Sequence, residues 1–371
     1  MTSAIIELFL DAIAVDALSL QEQPMAHFVR RSLDGLPVDI VEDAAGTAIG
    51  GNCGNLICVP RTLDPTRPVL ALFAHLDTPR PTTGVKPVFS DTQITSDGST
   101  ILGVDNRLGT SVLLHVLRDH LLSHRPGNFI VVLSVAEEAG MLGAKHLDLS
   151  PYNVRMGFVF DCSRRPGTFI GSAVGCSLYT ATFLGKPSHA GVSPEKGIHA
   201  IRLAARALDR IPMGRLSPTM TSNVGTIKGG TATNVVPESC TVEGEVREFD
   251  PAVIGEHLTF LRTTFEAVAS EGQGAIRFES AVDFAPFVLD PASPVFRTTE
   301  AVMRRLGLTP NPIEYLGGSD ANTLNEIGLP SVNLGIGAQN PHGNDEFVLL
   351  EDIAMSASIA NELIIESTRL S

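Results

Sequence analysis

The feature that most constrains the fold is a change of pattern near residue 176 that reverses near residue 284. Outside this stretch, apolar runs suited to buried strands alternate with amphipathic helices, as in an open α/β sheet. Inside it, six elements follow the order β-α-β-β-α-β of a ferredoxin-like α+β domain. The six elements are 177–184, 198–210, 222–228, 240–249, 252–270 and 276–281. The pattern therefore predicts a discontinuous domain, 1–175 and 284–371, that carries an inserted domain, 176–283.

Length and composition agree with two packed domains and exclude several classes of protein. A single hydrophobic core stops growing at roughly 250–300 residues, and this chain has 371. Its 27 basic and 41 acidic side chains give a net charge of −14, which argues against nucleic acid as a partner. No run of about 18 uncharged apolar residues predicts a membrane span. The apolar N-terminus is broken by acidic residues and lacks a basic start, so it indicates an amphipathic helix and no signal peptide.

The five cysteines show no paired spacing. Reduced, buried thiols of this kind are typical of a cytoplasmic protein. Within the first domain, apolar residues at 3–4 spacing predict a helix over 107–122, and 139–147 is also predicted to be helical. The nearly continuous apolar runs 69–75, 128–135 and 156–160 are typical of strands buried on both faces.

Polar residues follow these apolar runs, where open α/β sheets bind their ligands. His75 and Asp77 close the first run, and on a strand residues two apart point the same way. Glu137 and Glu138 follow the second run, and Asp161 ends the third. Taken singly, each has an ordinary explanation: a surface histidine, a turn aspartate, or a solvated first helical turn.

Two further residues complete the set. Asp105 lies in the turn before helix 107–122, where a helix N-cap is the ordinary alternative, and His342 lies in a polar loop near the C-terminus. Together, two imidazoles and four or five carboxylates match two divalent cations that share a bridging carboxylate. One further carboxylate would act as a base on a bridging water. Nitrogen and oxygen ligands of this kind suit Zn²⁺, with Co²⁺ or Mn²⁺ as replacements.

Eight motifs in a fixed order span nearly the whole chain. They are HLD (75–77), GVDNR (103–107), EE (137–138), Asp161, PSHAG (187–191), GGTATNVVP (229–237), GGSDAN (317–322) and HGNDE (342–346). In these motifs the chain resembles the co-catalytic di-zinc metallopeptidases, which include peptidase T, glutamate carboxypeptidases, aminoacylases and succinyl-diaminopimelate desuccinylase. GGTATNVVP and GGSDAN are most similar to the peptidase T-like branch.

The resemblance implies an α/β fold. The discontinuous catalytic domain would be zinc-exopeptidase-like, with a mixed, largely parallel sheet flanked by helices. The inserted ferredoxin-like domain would be a lid and dimerisation module. The resemblance also implies two Zn²⁺ per subunit.

The same resemblance assigns the metal ligands. His75 and Asp161 would bind one zinc ion. Glu138 and His342 would bind the other, and Asp105 would bridge both.

Asp77 and Glu137 would act beside the metals. Asp77 would hold the imidazole of His75. Glu137 would be the general base. It would take a proton from the bridging water, and the metal-bridging hydroxide so formed would attack the amide. Glu137 would then pass the proton to the leaving nitrogen. One motif departs from the family, because Asn106 stands where a second aspartate is common. We expect the metals to bind nonetheless and the local charge to change.

The remaining motifs imply a substrate site. His189, otherwise an ordinary loop histidine, would polarise the scissile carbonyl, in many relatives at the active site of the partner subunit. Asn234 and Arg247 would bind substrate oxygens, and Arg247 could grip a carboxylate with two parallel hydrogen bonds, although a surface arginine is the alternative. Gly318 and Ser319 would line the pocket through backbone groups.

These roles imply a cytoplasmic, homodimeric zinc exopeptidase, most similar to a peptidase T-like aminopeptidase acting on short peptides. An N-acyl amino acid deacylase or a carboxypeptidase with the same di-zinc chemistry is the first alternative, since Arg247 fits any substrate with a carboxylate. A non-catalytic binding homologue is the second, but it would lack a ligand or the base, and this sequence has all of them. The chain is shorter than typical peptidase T proteins, and no motif in it supplies their usual recognition of the amino terminus, which argues against strict tripeptidase activity.

Overall fold

The computed structural model of this chain describes residues 2–370, with side chains described from residue 3 onward. The helices are α1 Thr2–Ile13, α2 Gln23–Ser32, α3 Ala45–Ile49, α4 Val104–Ser123, α5 Leu142–Lys145, α6 Ala200–Asp209, α7 Pro251–Glu271, α8 Pro294–Arg305, α9 Asp320–Glu326 and α10 Leu350–Ser367. The strands are β1 Val38–Glu42, β2 Leu56–Pro60, β3 Val69–His75, β4 Pro87–Phe89, β5 Gln93–Ser96, β6 Phe129–Ser134, β7 Val154–Cys162, β8 Thr168–Ala173, β9 Gly175–Leu184, β10 Gly214–Arg215, β11 Thr221–Gly229, β12 Ser239–Glu248, β13 Ala275–Phe284, β14 Phe287–Val288, β15 Asn311–Tyr315, β16 Ser331–Gly335 and β17 Phe347–Leu349.

The described chain forms two compact units. Unit 1 runs through Ser172 and also includes Val288–Glu314 and the segment from Ser319 onward. Unit 2 comprises Ala173–Phe287 and Tyr315–Gly318. Residues 176–283, which the sequence pattern sets apart, lie inside unit 2.

A mixed sheet forms the centre of unit 1. Its strands lie in the order β1-β2-β6-β3-β7-β16-β8-β14, with β15 beside β8. The four middle strands, from β6 to β16, run parallel to one another, whereas β1 pairs antiparallel with β2, β2 with β6, and β8 with β16. The predicted α/β class with a mixed, largely parallel sheet is confirmed.

The middle strands are buried because helices cover the sheet. Every residue of β3 and β6 is buried, as expected for apolar runs in a parallel sheet. Helix α4 packs against β3, and α1 and α10 pack against α4. Each fully buried Val, Leu or Phe stabilises such a core by roughly 1.5–3 kcal/mol. Since parallel strands end at the same edge, the polar residues after β3, β6 and β7 meet there.

Unit 2 contains an antiparallel sheet with the order β10-β11-β12-β9-β13. Helices α6 and α7 pack on this sheet. Between them lies an apolar core in which Tyr179 stacks on Phe278 with ring centroids 5.7 Å apart, and Phe183 and Phe265 are fully buried. The four long strands and two helices follow the β-α-β-β-α-β order expected from the sequence.

Some local features differ from the sequence-based expectation. The helix predicted over 139–147 is wrong in length, since α5 covers only Leu142–Lys145. Gly140 and Met141 have φ values of 103° and 56°, which a right-handed helix does not allow. A small sheet of β17, β5 and β4 was not predicted. None of the described helices is long and apolar enough to cross a membrane.

Candidate metal centre

Two strand ends bring the first pair of candidate ligands together. His75 is the last residue of β3, and Asp161 lies one residue before the end of the neighbouring parallel strand β7. The His75 ring atom Nε2 lies 3.2 Å from Asp161 Oδ1. The position of both side chains therefore follows directly from the register of the sheet.

Asp105 lies at the start of α4 and faces both candidate histidines. Its Oδ1 is 3.1 Å from His75 Nε2, and its Oδ2 is 3.2 Å from His342 Nε2. The backbone of Asp105 and Asn106 is not helical, and the side chain that caps the helix after them is that of Asn106, whose Oδ1 accepts the N–H of Gly109 over 2.9 Å. The alternative in which Asp105 caps the helix is therefore wrong.

Glu138 joins His342 on the second side of Asp105. Glu138 Oε1 lies 3.5 Å from His342 Nε2. Asp105, Glu138 and His342 form one group whose ligand atoms all lie within 4.8 Å of one another, and His75, Asp105 and Asp161 form another. Asp105 is thus shared by two groups, each of which has one imidazole and one further carboxylate.

Glu137 belongs to neither of these groups. It forms a third group with His75 and Glu138, again within 4.8 Å. Its carboxylate therefore lies close to His75 and Glu138 but belongs to neither of the two groups that share Asp105.

Asp77 holds several parts of this centre in place. It is fully buried, and its Oδ1 lies 3.2 Å from His75 Nδ1. The backbone N–H groups of Glu137 and Glu138 donate to its two carboxylate oxygens, each over 3.1 Å. One carboxylate thus orients a candidate ligand and the turn that carries the glutamate pair.

The electrostatics of the centre reflect an excess of buried carboxylates. Burial favours the neutral imidazole of His75, but its bonds to Asp105, Asp161 and Asp77 outweigh this and raise its pKa well above the ordinary value. Burial and the charge of Asp105 raise the pKa of Glu138 to about 8. Burial, together with the nearby carboxylates, also raises the pKa of Glu137 well above its usual range.

The residues fit a pair of divalent cations. Glu138 Oε1 is buried and accepts no hydrogen bond from the described residues, which is a costly state for a carboxylate oxygen without a cation. Carboxylates that raise one another's pKa are stabilised by a nearby positive charge. The donors are imidazole nitrogens and carboxylate oxygens, which suit zinc.

Comparison with known proteins supports a peptidase. The sequence pattern of the peptidase dimerisation domain of M20 peptidases matches residues 173–276. An uncharacterised Bacillus subtilis protein, YqjE, is 31% identical over 370 residues, which cover 98% of each chain. A Staphylococcus aureus tripeptidase structure is 31% identical, with a TM-score of 0.89 over 100% of this chain and 99% of that one. The Bacillus cereus aminopeptidase PepT is 30% identical, with a TM-score of 0.84 over 99% of both chains.

The chain belongs to the M20 peptidase family. Within the family it belongs to the peptidase T-like branch. The protein is therefore a hydrolase of the metallopeptidase class.

Unit 2 of this M20 peptidase brings two predicted substrate residues together. His189 and Val235 form an isolated antiparallel bridge, and Ala190 N–H donates to the carbonyl of Asn234 over 3.0 Å. His189 and Asn234 are both exposed. His189 Nδ1 accepts from the N–H groups of Gly191 and Val192, each over 3.2 Å. A neutral His189 therefore carries its proton on Nε2.

Arg247 of the M20 peptidase already has a partner inside unit 2. Its Nε and Nη2 donate to the two carboxylate oxygens of Glu245, each over 2.9 Å. The guanidinium carbon also lies 5.8 Å from the ring centroid of Phe284. The bidentate grip predicted for a substrate carboxylate is thus made, in this structure, to Glu245.

Gly318 and Ser319 are closely packed. A Cβ at Gly318 would lie 2.6 Å from the Phe284 ring, so only glycine fits there without a shift. Ser319 is buried and begins α9 with a capping box, in which its own N–H donates to Asn322 Oδ1 over 3.2 Å. A role for either residue in the substrate pocket stays a prediction.

Sequence reasoning missed several residues that hold the centre. Glu346, in the HGNDE motif, accepts from the N–H groups of Gly103 and Asp105 over 2.6 and 3.1 Å. The buried Arg107 donates to the carbonyls of Leu76 and Val15. Motif membership was the available signal for both.

Proposed function

We propose that this M20 peptidase is a di-zinc aminopeptidase that removes the N-terminal residue from short peptides. The observation that carries the proposal is the position of Asp105, whose two oxygens face two groups that each have one imidazole and one further carboxylate. The names of the two similar structures, a tripeptidase and an aminopeptidase, support the choice of substrate. The five free, buried cysteines support a cytoplasmic location.

The proposed ligands follow the two groups. His75 and Asp161 would hold one zinc ion, Glu138 and His342 the other, and Asp105 both. When bound, the pair would supply Lewis acidity, which lowers the pKa of a water molecule and stabilises negative charge on a carbonyl oxygen.

Glu137 is the proposed general base because it lies at the centre but outside both ligand groups. It takes a proton from the attacking water and delivers it to the amide nitrogen as the C–N bond breaks. Asp77 keeps the backbone of Glu137 and the ring of His75 in fixed positions.

His189 is proposed to donate its Nε2 proton to the carbonyl oxygen of the substrate. The two backbone N–H groups on Nδ1 support this role, because they fix the tautomer and the ring direction. Asn234, on the adjoining backbone, would bind a substrate oxygen. A substrate carboxylate would have to approach the far end of the Arg247 guanidinium or replace Glu245 there.

A substrate panel tests the proposed specificity. Zinc-loaded protein would be assayed with di- and tripeptides that have free or blocked termini, and with N-acetyl and N-succinyl amino acids. We expect cleavage only where the amino terminus is free. Cleavage of blocked substrates that requires a free carboxylate would instead assign the protein as a deacylase or carboxypeptidase.

The variant Glu137→Gln tests the base. It should retain bound metal and lose nearly all of kcat, since the amide fits the same space but cannot carry the proton. Glu256→Gln, at an exposed position of α7, is the matched control and should leave kcat unchanged. Wild-type kcat in Glu137→Gln would refute the assignment.

We also propose a homodimer formed through unit 2. The match of residues 173–276 to a peptidase dimerisation domain supports it. Equilibrium sedimentation at micromolar concentration should give twice the 39.3 kDa chain mass. A species of one chain mass would refute the dimer and any action of His189 at a partner's site.

A further inference from the structure

The segment between α1 and α2, residues 17–22, lies against the candidate metal centre. Thr78 N–H donates to the carbonyl of Ala17 over 3.1 Å, and Leu18 forms a parallel bridge with Thr78. Asn52 N–H donates to the carbonyl of Leu20 over 3.1 Å. The backbone of the segment is therefore fixed beside Asp77, on the side of unit 1 that carries the glutamate pair.

Ser19 makes the shortest of the hydrogen bonds to Asp77. Its hydroxyl donates to Asp77 Oδ2 over 2.6 Å, from 58 residues away in the sequence. The same oxygen accepts the N–H of Glu138 over 3.1 Å, and Oδ1 accepts that of Glu137 over 3.1 Å. Because Asp77 is fully buried, the direction of its carboxylate is set by these partners and by His75.

Glu22 holds the residue that precedes the glutamate pair. It is fully buried, and its Oε1 accepts the N–H groups of Ala136 and Leu20, each over 2.8 Å. Ala136 has a φ of 51°, a left-handed conformation that residues with a Cβ rarely adopt. Such a conformation persists only where its surroundings hold it. Glu22 supplies one of the bonds that hold it, and the chain direction at Ala136 decides where Glu137 points.

We propose that Ser19 and Glu22 are positioning residues, which act through Asp77 and Ala136 to set the directions of the Glu137 and Glu138 side chains. This inference rests on the proposed roles of Glu137 as base and Glu138 as ligand. A catalytic group displaced by about 1 Å can lose about a hundredfold in rate. Loss of either residue should therefore lower kcat without changing how the substrate binds.

The test uses the full-length, zinc-loaded protein at measured metal content. Ser19→Ala and Glu22→Ala should each lower kcat about tenfold or more, while KM and the melting temperature stay near wild type. Ser19→Thr keeps the hydroxyl and Glu22→Gln keeps the Oε1 acceptor, so both should restore kcat to within about threefold. Ser99→Ala is the matched control, since it removes a serine–aspartate hydrogen bond, to Asp97, on the exposed surface.

Hydrogen exchange gives a readout that does not depend on activity. In Ser19→Ala the amides of Glu137 and Glu138 should exchange faster, and in Glu22→Ala that of Ala136, while the amides of β6 keep their protection. Unchanged kcat and unchanged exchange in both alanine variants would overturn the proposal. A fall in kcat matched by a lower melting temperature and faster exchange throughout unit 1 would also overturn it, since the segment would then serve stability alone. Failure of Glu137→Gln to lose activity would refute the proposed base without altering the exchange result.

Discussion

The side-chain amide of Asn106 donates a 3.0 Å hydrogen bond to Asp161 Oδ1. Its orientation is fixed by two backbone groups: Nδ2 also donates to the carbonyl of Phe160 over 2.8 Å, and Oδ1 accepts the N–H of Gly109 over 2.9 Å. Gly109 allows this contact, because a Cβ there would lie 2.1 Å from Asn106 Oδ1 and 2.3 Å from the Phe160 carbonyl oxygen. The residue that departs from the family motif thus contacts a proposed zinc ligand directly.

Asn106→Asp should destabilise the metal-free protein. An ionised aspartate cannot donate, so it would place a carboxylate against the Phe160 carbonyl and against Asp161 in a fully buried site. The free energy of unfolding of unit 1 should fall by about 1–3 kcal/mol, measured by urea denaturation in chelator. Asn311→Asp, at an exposed position, is the control. An equal fall in the free energy of unfolding in the two variants would show that the Asn106 contacts do not stabilise the protein.

Glu346→Ala should weaken metal binding. Glu346 is buried and its carboxylate holds the N–H of Asp105, the proposed bridging ligand. Removing a group that orients a ligand typically costs about 10–100-fold in metal affinity. Competition with a fluorescent zinc chelator would measure this, with the exposed Glu314→Ala as control. Glu346→Gln keeps one acceptor and should lose less; an affinity equal to wild type in the alanine variant would contradict the idea.

Asp320→Asn should stabilise the metal-free protein in a pH-dependent way. Asp320 is buried, its Oδ2 accepts from Ser134 Oγ, and its Oδ1 has no hydrogen-bond partner among the described residues. Burial and the charges of Asp161 and Asp77 raise its pKa to about 7. The folded protein therefore binds this proton more tightly than the unfolded chain, and the wild type loses stability as the pH rises from about 4 to about 7.

The asparagine variant lacks this titration. Its advantage should be small at pH 4, grow up to pH 7 and then stay constant, on the order of 4 kcal/mol at pH 8, because the pKa of Asp320 rises from its ordinary value near 4 to about 7 and each pKa unit corresponds to about 1.4 kcal/mol. Thermal unfolding in chelator at several pH values would measure it. A constant difference between the two proteins at every pH would exclude Asp320 as the titrating group.

Mixed dimers should distinguish whether His189 acts on its own subunit or on the partner's. His189→Ala and Glu137→Gln would each be nearly inactive alone. If His189 acts across the dimer, co-expressed mixtures regain about a quarter of the wild-type activity, because each mixed dimer contains one complete site. If it acts within its own subunit, every site in the mixture lacks one group, and no activity returns.

The α/β class could be predicted because its signal is local. The apolar runs that became β3 and β6 are buried along their whole length, and continuous apolarity of this kind is visible in one sequence. The extent of α5 was not visible. Its start is set by Met141 in a left-handed conformation, after the N–H groups of Gly140 and Met141 have both bonded to the carbonyl of Glu137.

The candidate site also contains some residues that could be predicted from the sequence and others that could not. Residues that end a strand, such as His75 and Asp161, could be named from sequence because the strand is recognisable as an apolar run, and its end fixes where they lie. Ser19 and Glu22 could not, since their partners, Asp77 and Ala136, follow strands far along the chain, and neither Ser19 nor Glu22 belongs to one of the eight motifs. The donation from Asn106 to Asp161 was also hidden, because it depends on how closely α4 approaches β7.

The two histidines that face Asp105 are separated by the whole of unit 2 in the chain. During synthesis, His75 and the carboxylates from Asp77 to Asp161 leave the ribosome long before His342 does. A nascent chain that lacks the last segment of unit 1 contains the acidic residues from Asp77 to Asp161 but only one of the two histidines of the centre. The candidate metal centre is therefore completed late in synthesis. The two ends of unit 1 can meet only after the chain between them has been made.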